Sequence, residues 1–319
     1  MTTTIPFIKM HGIGNDYVYL DAIAHPQLAQ RQDLPELARR MSDRHAGIGS
    51  DGLIVVQQPR PAPAPGVNAH VQMRMFNADG SESEMCGNGI RCVAKLVHDR
   101  GYCTSQPMYI ATGAGVLAIE FQCDDANRLE QATVNMGMPR LEANAVPVQL
   151  PGWSMNEPVI SQNAEMMLSE RLAGLPADWI ERAGVEMGMT CVSMGNPHVV
   201  LYCSDVAAVP LHVIGPWIET YAIFPRRVNV HFVQIVRSNE VHMRTWERGA
   251  GMTQACGTGA SAVCVAGVLT GKTDRRILAH LPGGDLTLEW RAGAADSASS
   301  GCVFMTGPAT EVFTGDWQG

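Results

Sequence analysis

The chain has 319 residues, which predicts two domains at roughly 100–200 residues each. Hydrophobic residues make up 46% of the chain and charged residues 17%, so the composition excludes extensive disorder and allows two apolar cores. The formal net charge of -8 argues against non-specific binding to nucleic acid, and no run of about 18 apolar residues is present that could cross a membrane.

The N-terminus and the cysteines both favour a reducing compartment. The first residues, MTTTIPFIKM, lack the basic start and apolar run of a signal peptide, so we expect a cytoplasmic protein. Nine cysteines are an odd number in a long chain, which fits free thiols. They form no C-x-x-C pair and no Cys/His cluster with zinc-like spacing, so we expect no metal. Most should be small buried hydrophobic residues.

Runs rich in β-branched and aromatic residues predict strands along the whole chain. In chain order these runs are 17–20, 53–56, 70–76, 116–121, 198–202 and 228–236. Segment 34–44 has one apolar face at helical spacing, and segment 161–184 also carries helical periodicity. The Pro-rich segment 57–66 and the Ala/Ser-rich segment 292–301 predict surface loops. The pattern is that of a mixed α/β protein.

The two halves of the chain repeat each other at an offset of 170 residues. MCGNGIRCVAKL (85–96) then lies over ACGTGASAVCVA (255–266) without a gap, and the Met-Arg pair that opens the preceding strand also matches. Both copies are predicted as strand, polar loop, Cys-Gly-x-Gly and apolar helix. Because two rare cysteines, Cys86 and Cys256, fall in register, chance is the weaker interpretation. The repeat predicts two structurally equivalent domains that face each other.

A Cys-Gly-x-Gly motif at the start of a helix indicates a chemical role. The helix N-terminus offers unpaired N–H groups and a partial positive charge, which bind a carboxylate and lower the pKa of a thiol. Two such halves could hold one α-carboxylate, with a sulfur on each side of the α-carbon. Inversion at that carbon needs a base on one face and an acid on the other. Cys92 and Cys264, inside the following helices, are expected to be structural.

At these residues the sequence resembles the diaminopimelate epimerase family over nearly its whole length. The matching segments, in the family's order, are KMHGIGNDYV (9–18), RHAGIGSDGL (44–53), FNADGSESEMCGNGIRC (76–92), MGNPHVV (194–200), RVNVHFVQI (227–235), ERGAGMTQACGTGA (247–260), LPGGDL (281–286) and MTGPATEVF (305–313). Eight blocks in one order make a specific pattern, whereas a lone GNPH would not.

The resemblance implies an α/β (α+β) fold of two pseudo-symmetric domains, each a barrel-like β-sheet around a central helix. We expect residues 1–132 with 303–319 in the first domain and 133–302 in the second, with the active site in the cleft between them. The implied reaction interconverts LL- and meso-2,6-diaminopimelate without pyridoxal phosphate, another cofactor or a metal, in lysine and peptidoglycan synthesis. The implied assembly is a cytoplasmic homodimer, with neither nucleic acid nor membrane as a partner.

The resemblance also implies a role for individual residues. Cys86 and Cys256 would be the two catalytic bases, with His198 near the first and Glu247 near the second, both helping proton transfer. The distal amino-acid end of the substrate would be held by Asn15, Asn77, Asn196, Asn229, Glu247 and Arg248. The reacting carboxylate would be held by the backbone around Gly87, Asn88, Gly257 and Thr258. These residue types fit, because Arg248 can grip a carboxylate by two parallel hydrogen bonds and Glu247 can accept from an ammonium group.

Plainer interpretations exist for several of these residues. Taken alone, His198 fits a structural histidine, each asparagine fits a turn, and Glu247 with Arg248 fits a surface ion pair. One departure concerns Gly52, since some relatives carry Gln at that place of the GIGxD block. Three segments, 57–66, 151–185 and 292–301, are longer than a compact member of the family needs, and we assign them no function.

Three other functions fit parts of this pattern. A proline or hydroxyproline racemase-type enzyme on the same fold is the main alternative, but its first motif is more like Cys-Gly-His than Cys86-Gly87-Asn88. Proline also lacks a second amino-acid group for Glu247 and Arg248 to bind. A phenazine-pathway isomerase would not be expected to carry paired cysteines. A non-catalytic binding protein would not need both sulfurs.

Overall fold

The computed structural model describes residues 4–59, 68–170, 172–293 and 301–318. The chain divides into two compact units: unit 1 comprises Met1–Asn135 and Thr306–Gly319, and unit 2 comprises Met136–Met305. Most of the two predicted surface loops, residues 60–66 of the Pro-rich segment and 294–300 of the Ala/Ser-rich segment, lies outside the described residues.

Both units consist of many strands and few long helices. Unit 1 contains β1 (Thr4–Gly12), β2 (Asn15–Asp21), a 3-10 turn (Pro26–Gln30), α1 (Leu34–Ser42), β3 (Gly52–Gln57), β4 (Val71–Asn77), β5 (Glu82–Ser83), α2 (Gly87–Asp99), β6 (Met108–Thr112), β7 (Gly115–Cys123) and β8 (Leu129–Asn135). Unit 2 contains β9 (Gln162–Asn163), α3 (Glu165–Leu168), α4 (Trp179–Ala183), β10 (Gly188–Ser193), β11 (Pro197–Cys203), α5 (Leu211–Glu219), β12 (Asn229–Arg237), β13 (Glu240–Glu247), β14 (Gly251–Met252), α6 (Gly257–Leu269), β15 (Arg276–Leu281) and β16 (Gly284–Trp290). The chain closes with β17 (Val303–Pro308) and with β18 (Thr310–Gln318), which belongs to unit 1.

The strands of the two units pair in the same order. In unit 1, β1 and β2 are antiparallel, β2 and β3 parallel, β3 and β4 antiparallel, β4 and β6 parallel, and β6 and β7 antiparallel. In unit 2 the same alternation runs through β10, β11, β12, β13, β15 and β16. Strand β18 extends the first sheet beside β1, and β9 extends the second beside β10. The prediction of two copies of one topology is confirmed.

Each sheet curves around one long helix. Helix α2 packs against β1, β2, β4 and β8, and α6 packs against β10, β11, β12, β15 and β16, so each helix contacts strands from both ends of its sheet. Nearly all residues of both helices are buried. Helix α6 is composed mostly of Gly, Ala and Val on every side, as expected for a helix surrounded by apolar partners. The predicted barrel-like sheet around a central helix is confirmed.

The second glycine of each Cys-Gly-x-Gly motif permits close packing of helix on strand. A Cβ at Gly89 would lie 2.7 Å from Cδ1 of Ile54 on β3, and a Cβ at Gly259 would lie 2.3 Å from Cε1 of His231 on β12. Real Cβ atoms do not approach this closely, so a larger residue would push the helix away. The two glycines hold the two helices against equivalent strands, which places the cysteines just before them.

The predicted elements agree with the structure except in one segment. All six predicted strand segments lie within or overlap strands, and the helix predicted at 34–44 is α1. The helical periodicity of 161–184 was misleading, since that segment holds β9 and the two short helices α3 and α4 rather than one helix. Gly174 and Pro176 lie between these short helices and end any continuous helix there. Their apolar residues still reach the core of unit 2, where Met167 and Trp179 are buried.

Candidate functional site

Cys86 caps the central helix of unit 1. Its backbone is extended, and its sulfur accepts a hydrogen bond from the N–H of Gly89 at 3.4 Å, so the thiol itself satisfies one of the unpaired donors of the α2 N-terminus. The residue is half-buried. This is the arrangement that the sequence predicted for the first copy of the motif.

Two polar side chains contact the Cys86 sulfur, and a third bonds to one of them. The Tyr17 hydroxyl donates to the sulfur at 3.6 Å, and the Cys86 thiol donates to Oδ1 of Asn15 at 3.4 Å. The amide of Asn88 donates to the same Asn15 oxygen at 3.3 Å. The amide nitrogen of Asn15 donates to Asp51 at 2.6 Å, which fixes the orientation of Asn15. The predicted residues Asn15, Cys86 and Asn88 are therefore brought together in unit 1.

Asp51 belongs to a charged group that anchors the β1–β2 hairpin. Arg44 donates to both Asp51 and Asp16 at 2.8 Å, and Lys9 forms an ion pair with Asp16. Partial burial acts to raise the pKa of Asp16, but hydrogen bonds and positive charge from Arg44 and Lys9 outweigh it and lower that pKa. Asp16 is therefore ionised at neutral pH, and the group holds Asn15 in place.

The pKa of Cys86 is raised, in contrast to the expectation for a thiol at a helix N-terminus. Burial is the largest cause, because it penalises the charged thiolate. The Gly89 N–H, the Tyr17 hydroxyl and the charge of Arg91 act in the opposite direction and lower the pKa. Desolvation outweighs these donors, so Cys86 is a protonated thiol in the free protein at neutral pH.

Cys256 occupies the same place before α6 in unit 2 but has different neighbours. The residue is 4% exposed, and its sulfur lies 3.7 Å from the Thr258 hydroxyl. Burial raises its pKa well above the usual range, and the negative charge of Glu247 and a hydrogen bond to that carboxylate raise it further. The Gly259 N–H and the Thr258 hydroxyl act against this. Thr253 donates to Glu247 at 2.5 Å and orients it.

A buried chain of hydrogen bonds leads away from Thr258. The Asn196 amide donates to the Thr258 hydroxyl at 3.3 Å, and His198 contacts Asn196 at 2.8 Å and His231 at 2.9 Å. His231 also lies 2.9 Å from the hydroxyl of Thr245. Burial lowers the pKa of both histidines, well below the usual value for His198 and to about 3 for His231. Both rings are therefore neutral at physiological pH.

The register of the strands gives Tyr17 and His198 equivalent positions. Asn77 aligns with Glu247 in the repeat. Asn77 pairs with Gly52 on β3, and the register of β12 and β13 sets Glu247 opposite Asn229 in the same way. His198 lies beside Asn229 in the parallel pair, and Tyr17 holds the corresponding place beside Gly52. Asn15 lies two residues before Tyr17, and Asn196 lies two residues before His198.

Asn229 and Arg248 are linked at the end of β13. Oδ1 of Asn229 accepts from the backbone N–H of Arg248 at 2.9 Å, while its amide donates to the carbonyl of Pro197 at 2.9 Å. The guanidinium of Arg248 is exposed and donates to the carbonyl of Arg226 at 3.0 Å. The structure thus brings Asn196, His198, Asn229 and Arg248 together around the start of α6.

The remaining predicted residues lie beside these clusters. The amide of Asn77 donates to Ser81 at 2.9 Å at the end of β4. Gly87 and Gly257 are the first residues of α2 and α6. A Cβ at Gly52 would lie 2.2 Å from the carbonyl of Phe76, so a Gln at this position needs a local shift of the backbone.

Four residues of these clusters had no role assigned from the sequence: Tyr17, Asp51, His231 and Thr253. Each lies inside a segment that carried the family resemblance, so its presence in a matching block was the available signal. Residue type did not suggest a role, because Tyr, His and Thr in a strand are usually packing residues.

Metal ligation and membrane insertion find no support in the described part of the chain. Within it, no group of three or more His, Cys, Asp or Glu side chains is arranged to hold a metal ion. Among the helices formed by residues 4–59, 68–170, 172–293 and 301–318, none is long and apolar enough to cross a membrane.

The chain matches a known family along most of its length. The family model for diaminopimelate epimerase matches residues 7–142 and 190–312. The diaminopimelate epimerase of Leptospira biflexa is 44% identical over 312 residues, which cover 98% of each chain. The diaminopimelate epimerase of Pelotomaculum thermopropionicum is 43% identical over 312 residues, again 98% of each chain.

Solved structures of lower identity share the fold. A Bacillus anthracis phenazine biosynthesis protein of the PhzF family superposes with a TM-score of 0.65 at 14% identity, covering 99% of both chains. A probable proline racemase from Agrobacterium radiobacter superposes with a TM-score of 0.61 at 15% identity, covering 98% of this chain and 92% of that one. At such identities the likeness concerns the fold alone.

Proposed function

Because the chain belongs to the diaminopimelate epimerase family of isomerases, we propose that it interconverts LL- and meso-2,6-diaminopimelate with Cys86 and Cys256 as two opposed bases. The observation that carries this proposal is the pair of cysteines at matching positions, one before the central helix of each unit. The identity to named epimerases, above 40% over nearly the full length, favours this substrate over a proline-like one.

In the proposed reaction one cysteine acts as thiolate and the other as thiol. The thiolate takes the α-proton from one face of the carbon, and the C–H electron pair becomes a carbanion adjoining the carboxylate. The second cysteine gives its proton to the opposite face, and the configuration inverts. The first sulfur ends as thiol and the second as thiolate, so the reverse reaction uses the same groups. The mechanism requires both sulfurs to reach one α-carbon.

The helix ends would hold the reacting carboxylate. The N–H groups at Gly87 and Asn88 in unit 1 and at Gly257 and Thr258 in unit 2 lie in the first turn of α2 and α6, where the partial positive charge favours an anion. Charge that moves from the α-carbon into the carboxylate during proton removal is stabilised by the same donors.

The distal amino-acid group of the substrate would meet the polar residues around Asn229. Arg248 is exposed and can present two parallel N–H groups to a carboxylate. Asn15, Asn77, Asn196 and Glu247 supply oxygen atoms for an ammonium group. A substrate without these groups would leave the site unpaired.

His198 and Glu247 would act on proton transfer through the cysteines. Glu247 raises the pKa of Cys256 and so favours its thiol form, which suits the proton donor. His198, neutral and buried, would hold Asn196 and through it Thr258 beside Cys256. That His198 lies near Cys86, as the family resemblance implies, stays a prediction.

The assembly and the pathway belong to the same proposal. Lysine and peptidoglycan synthesis in the cytoplasm follow from the proposed substrate, and a homodimer follows from the family. Phe313 on β18 is 47% exposed, and in a homodimer that uses this strand the partner would cover it. Light scattering of the wild type and of the Phe313→Asp variant would measure the mass. A wild type of about 34 kDa, the monomer mass, would contradict the homodimer.

The proposed activity is tested with LL-diaminopimelate and protein freed of metal and pyridoxal phosphate, in deuterated water. Nuclear magnetic resonance should show meso product with deuterium at the inverted α-carbon, because the proton that is added comes from a thiol in exchange with solvent. Proline and lysine are the parallel substrates. Racemisation of proline without conversion of diaminopimelate would favour the racemase alternative instead.

A further inference from the structure

The buried hydroxyl of Tyr17 lies against the sulfur of Cys86. Tyr17 belongs to β2, is 5% exposed, and its hydroxyl donates to the Cys86 sulfur at 3.6 Å. The sulfur also accepts from the backbone N–H groups of Gly89 and Asn88 and lies beside the Asn15 oxygen, so three donors and one acceptor surround it. A thiol can use the acceptor and a thiolate can use the donors.

A second buried tyrosine on β2, Tyr19, has different hydrogen-bond partners from Tyr17. Tyr19, two residues further along β2, is fully buried and donates to the carbonyl of Gly89 at 3.2 Å. A buried hydroxyl needs a partner, and a carbonyl is the usual one. Tyr19 also meets the sulfur of Cys92 inside α2, whereas the sulfur that Tyr17 meets is that of Cys86. A sulfur is a weak acceptor as a thiol and a strong one as a thiolate.

We propose that Tyr17 is a positioning residue for Cys86, holding its sulfur at the start of α2 and stabilising its thiolate by a hydrogen bond. The proposal rests on the proposed function, in which Cys86 must ionise to act as a base. Burial raises the pKa of Tyr17 well above its usual value, so the hydroxyl keeps its proton and stays a donor throughout the working pH range.

The matching position of unit 2 carries no such donor to its cysteine. His198 stands there, and its two ring nitrogens contact Asn196 and His231 instead. Cys256 meets a carboxylate, Glu247, which opposes its ionisation. The two copies therefore differ in a consistent direction. Tyr17 favours ionisation of Cys86, whereas Glu247 favours the protonated form of Cys256.

Other titratable groups near Cys86 do not replace this contact. They are Tyr19 from β2, Arg91 and Cys92 from α2, and Asp51 just before β3, which acts on Tyr17. Arg91 lies one helical turn along α2, donates to the carbonyls of Gly87 and Pro308, and acts on Cys86 through charge alone. The donors to the sulfur are the backbone N–H groups of Gly89 and Asn88 and one side chain, the Tyr17 hydroxyl.

The test measures ionisation of Cys86 without any substrate. Wild type, Tyr17→Phe and the matched control Tyr19→Phe are alkylated with iodoacetamide over a pH series, and the labelled Cys86 and Cys256 peptides are quantified by mass spectrometry. In Tyr17→Phe, alkylation of Cys86 at about pH 8 should be on the order of tenfold slower, with its midpoint at higher pH. Cys256 in the same sample, and Cys86 in Tyr19→Phe, should react at the wild-type rate.

Two further measurements keep the test decisive. Difluorotyrosine placed at position 17 has a more acidic hydroxyl and should speed alkylation of Cys86, the opposite change from Tyr17→Phe. In turnover, Tyr17→Phe should lower kcat with KM nearly unchanged and move the rise of kcat to higher pH. An unchanged Cys86 alkylation rate in Tyr17→Phe, or an equal slowing in Tyr19→Phe, would overturn the proposal. Neither result depends on which substrate the protein uses.

Discussion

Glu247 sets a carboxylate beside the thiol of Cys256, whereas the matching residue beside the other copy of the motif is Asn77, an uncharged amide bonded to Ser81. The repeated fold therefore surrounds two chemically identical side chains with different charges. A carboxylate keeps one thiol protonated, while donors favour ionisation of the other. An epimerase with two bases needs such a pair in opposite protonation states.

Replacing Glu247 by Gln should make Cys256 ionise more readily. Removing the negative charge and the acceptor takes away two of the causes that raise the pKa of Cys256, although burial continues to raise it. Alkylation of Cys256 at a fixed alkaline pH should be about tenfold faster, since one pKa unit is a factor of ten in thiolate below the midpoint. Glu186→Gln, which removes a surface carboxylate paired with Lys272, is the control and should leave the rate unchanged. An unaltered Cys256 rate in Glu247→Gln would refute this account.

If Cys86 and Cys256 are the two bases, as we propose, each should be indispensable. Cys86→Ala and Cys256→Ala should each reduce kcat for diaminopimelate by at least about 10²–10⁴-fold, the usual contribution of a general acid or base. Ser variants should fail as well, because a hydroxyl is far less acidic than a thiol. Cys103→Ser and Cys302→Ser, at half-buried positions outside the motif, should retain activity. Circular dichroism checks that each variant is folded, and a folded Cys86→Ala protein of near wild-type rate would be incompatible with two thiol bases.

Arg248→Lys should act as a strongly non-conservative change. A lysine cannot make two parallel hydrogen bonds to the distal carboxylate, and losing one charged hydrogen bond costs on the order of 10²-fold in kcat/KM. Steady-state kinetics with diaminopimelate measure this loss, and lysine, which lacks the distal carboxylate, should be a very poor substrate for the wild type. Arg226→Lys is the control, because only the backbone carbonyl of Arg226 contacts Arg248. Equal activity of Arg248→Lys and wild type would show that another group binds the distal end.

The buried histidine pair should make the fold sensitive to mild acid. His198 and His231 have folded-state pKa values below that of the unfolded chain, about 6.5, so only the unfolded state takes up protons as the pH falls below that value. The free energy of unfolding should therefore decrease below about pH 6.5, by up to about 1.4 kcal/mol per pH unit for each histidine, and for His231 the decrease continues to about pH 3.

Urea unfolding at several pH values between 7 and 5 measures this slope, and His231→Asn should reduce it. His280→Asn is the control. The pKa of His280 is raised by Asp285 and Glu240 despite desolvation, so its protonation favours the folded state on acidification. Its removal should leave the slope unchanged or steeper. A wild-type stability that does not vary between pH 7 and 5 would rule out the buried neutral histidines.

The repeat, the paired cysteines and the family resemblance were all evident from the amino-acid sequence. Two copies of strand, loop, Cys-Gly-x-Gly and helix must fold alike, because the spacing of apolar residues and the glycines required for close packing are local properties. The same local reasoning was wrong for segment 161–184. Its apolar residues reach the core from a short strand and two short helices rather than from one helix. The charged or polar character of each predicted site residue was also evident from its type.

The surroundings of each thiol depend on the folded chain and could not be predicted from the sequence. The sign of the pKa shift depends on burial and on the distance to a few atoms, and both come from strands far apart in sequence. Tyr17 is 69 residues from Cys86, yet the register of β2 on β3 brings its hydroxyl to the sulfur. Helix α2 alone would lower the pKa of Cys86, whereas the sheet that encloses it removes water and raises it. Desolvation is a property of the assembled core, and no stretch of sequence carries it.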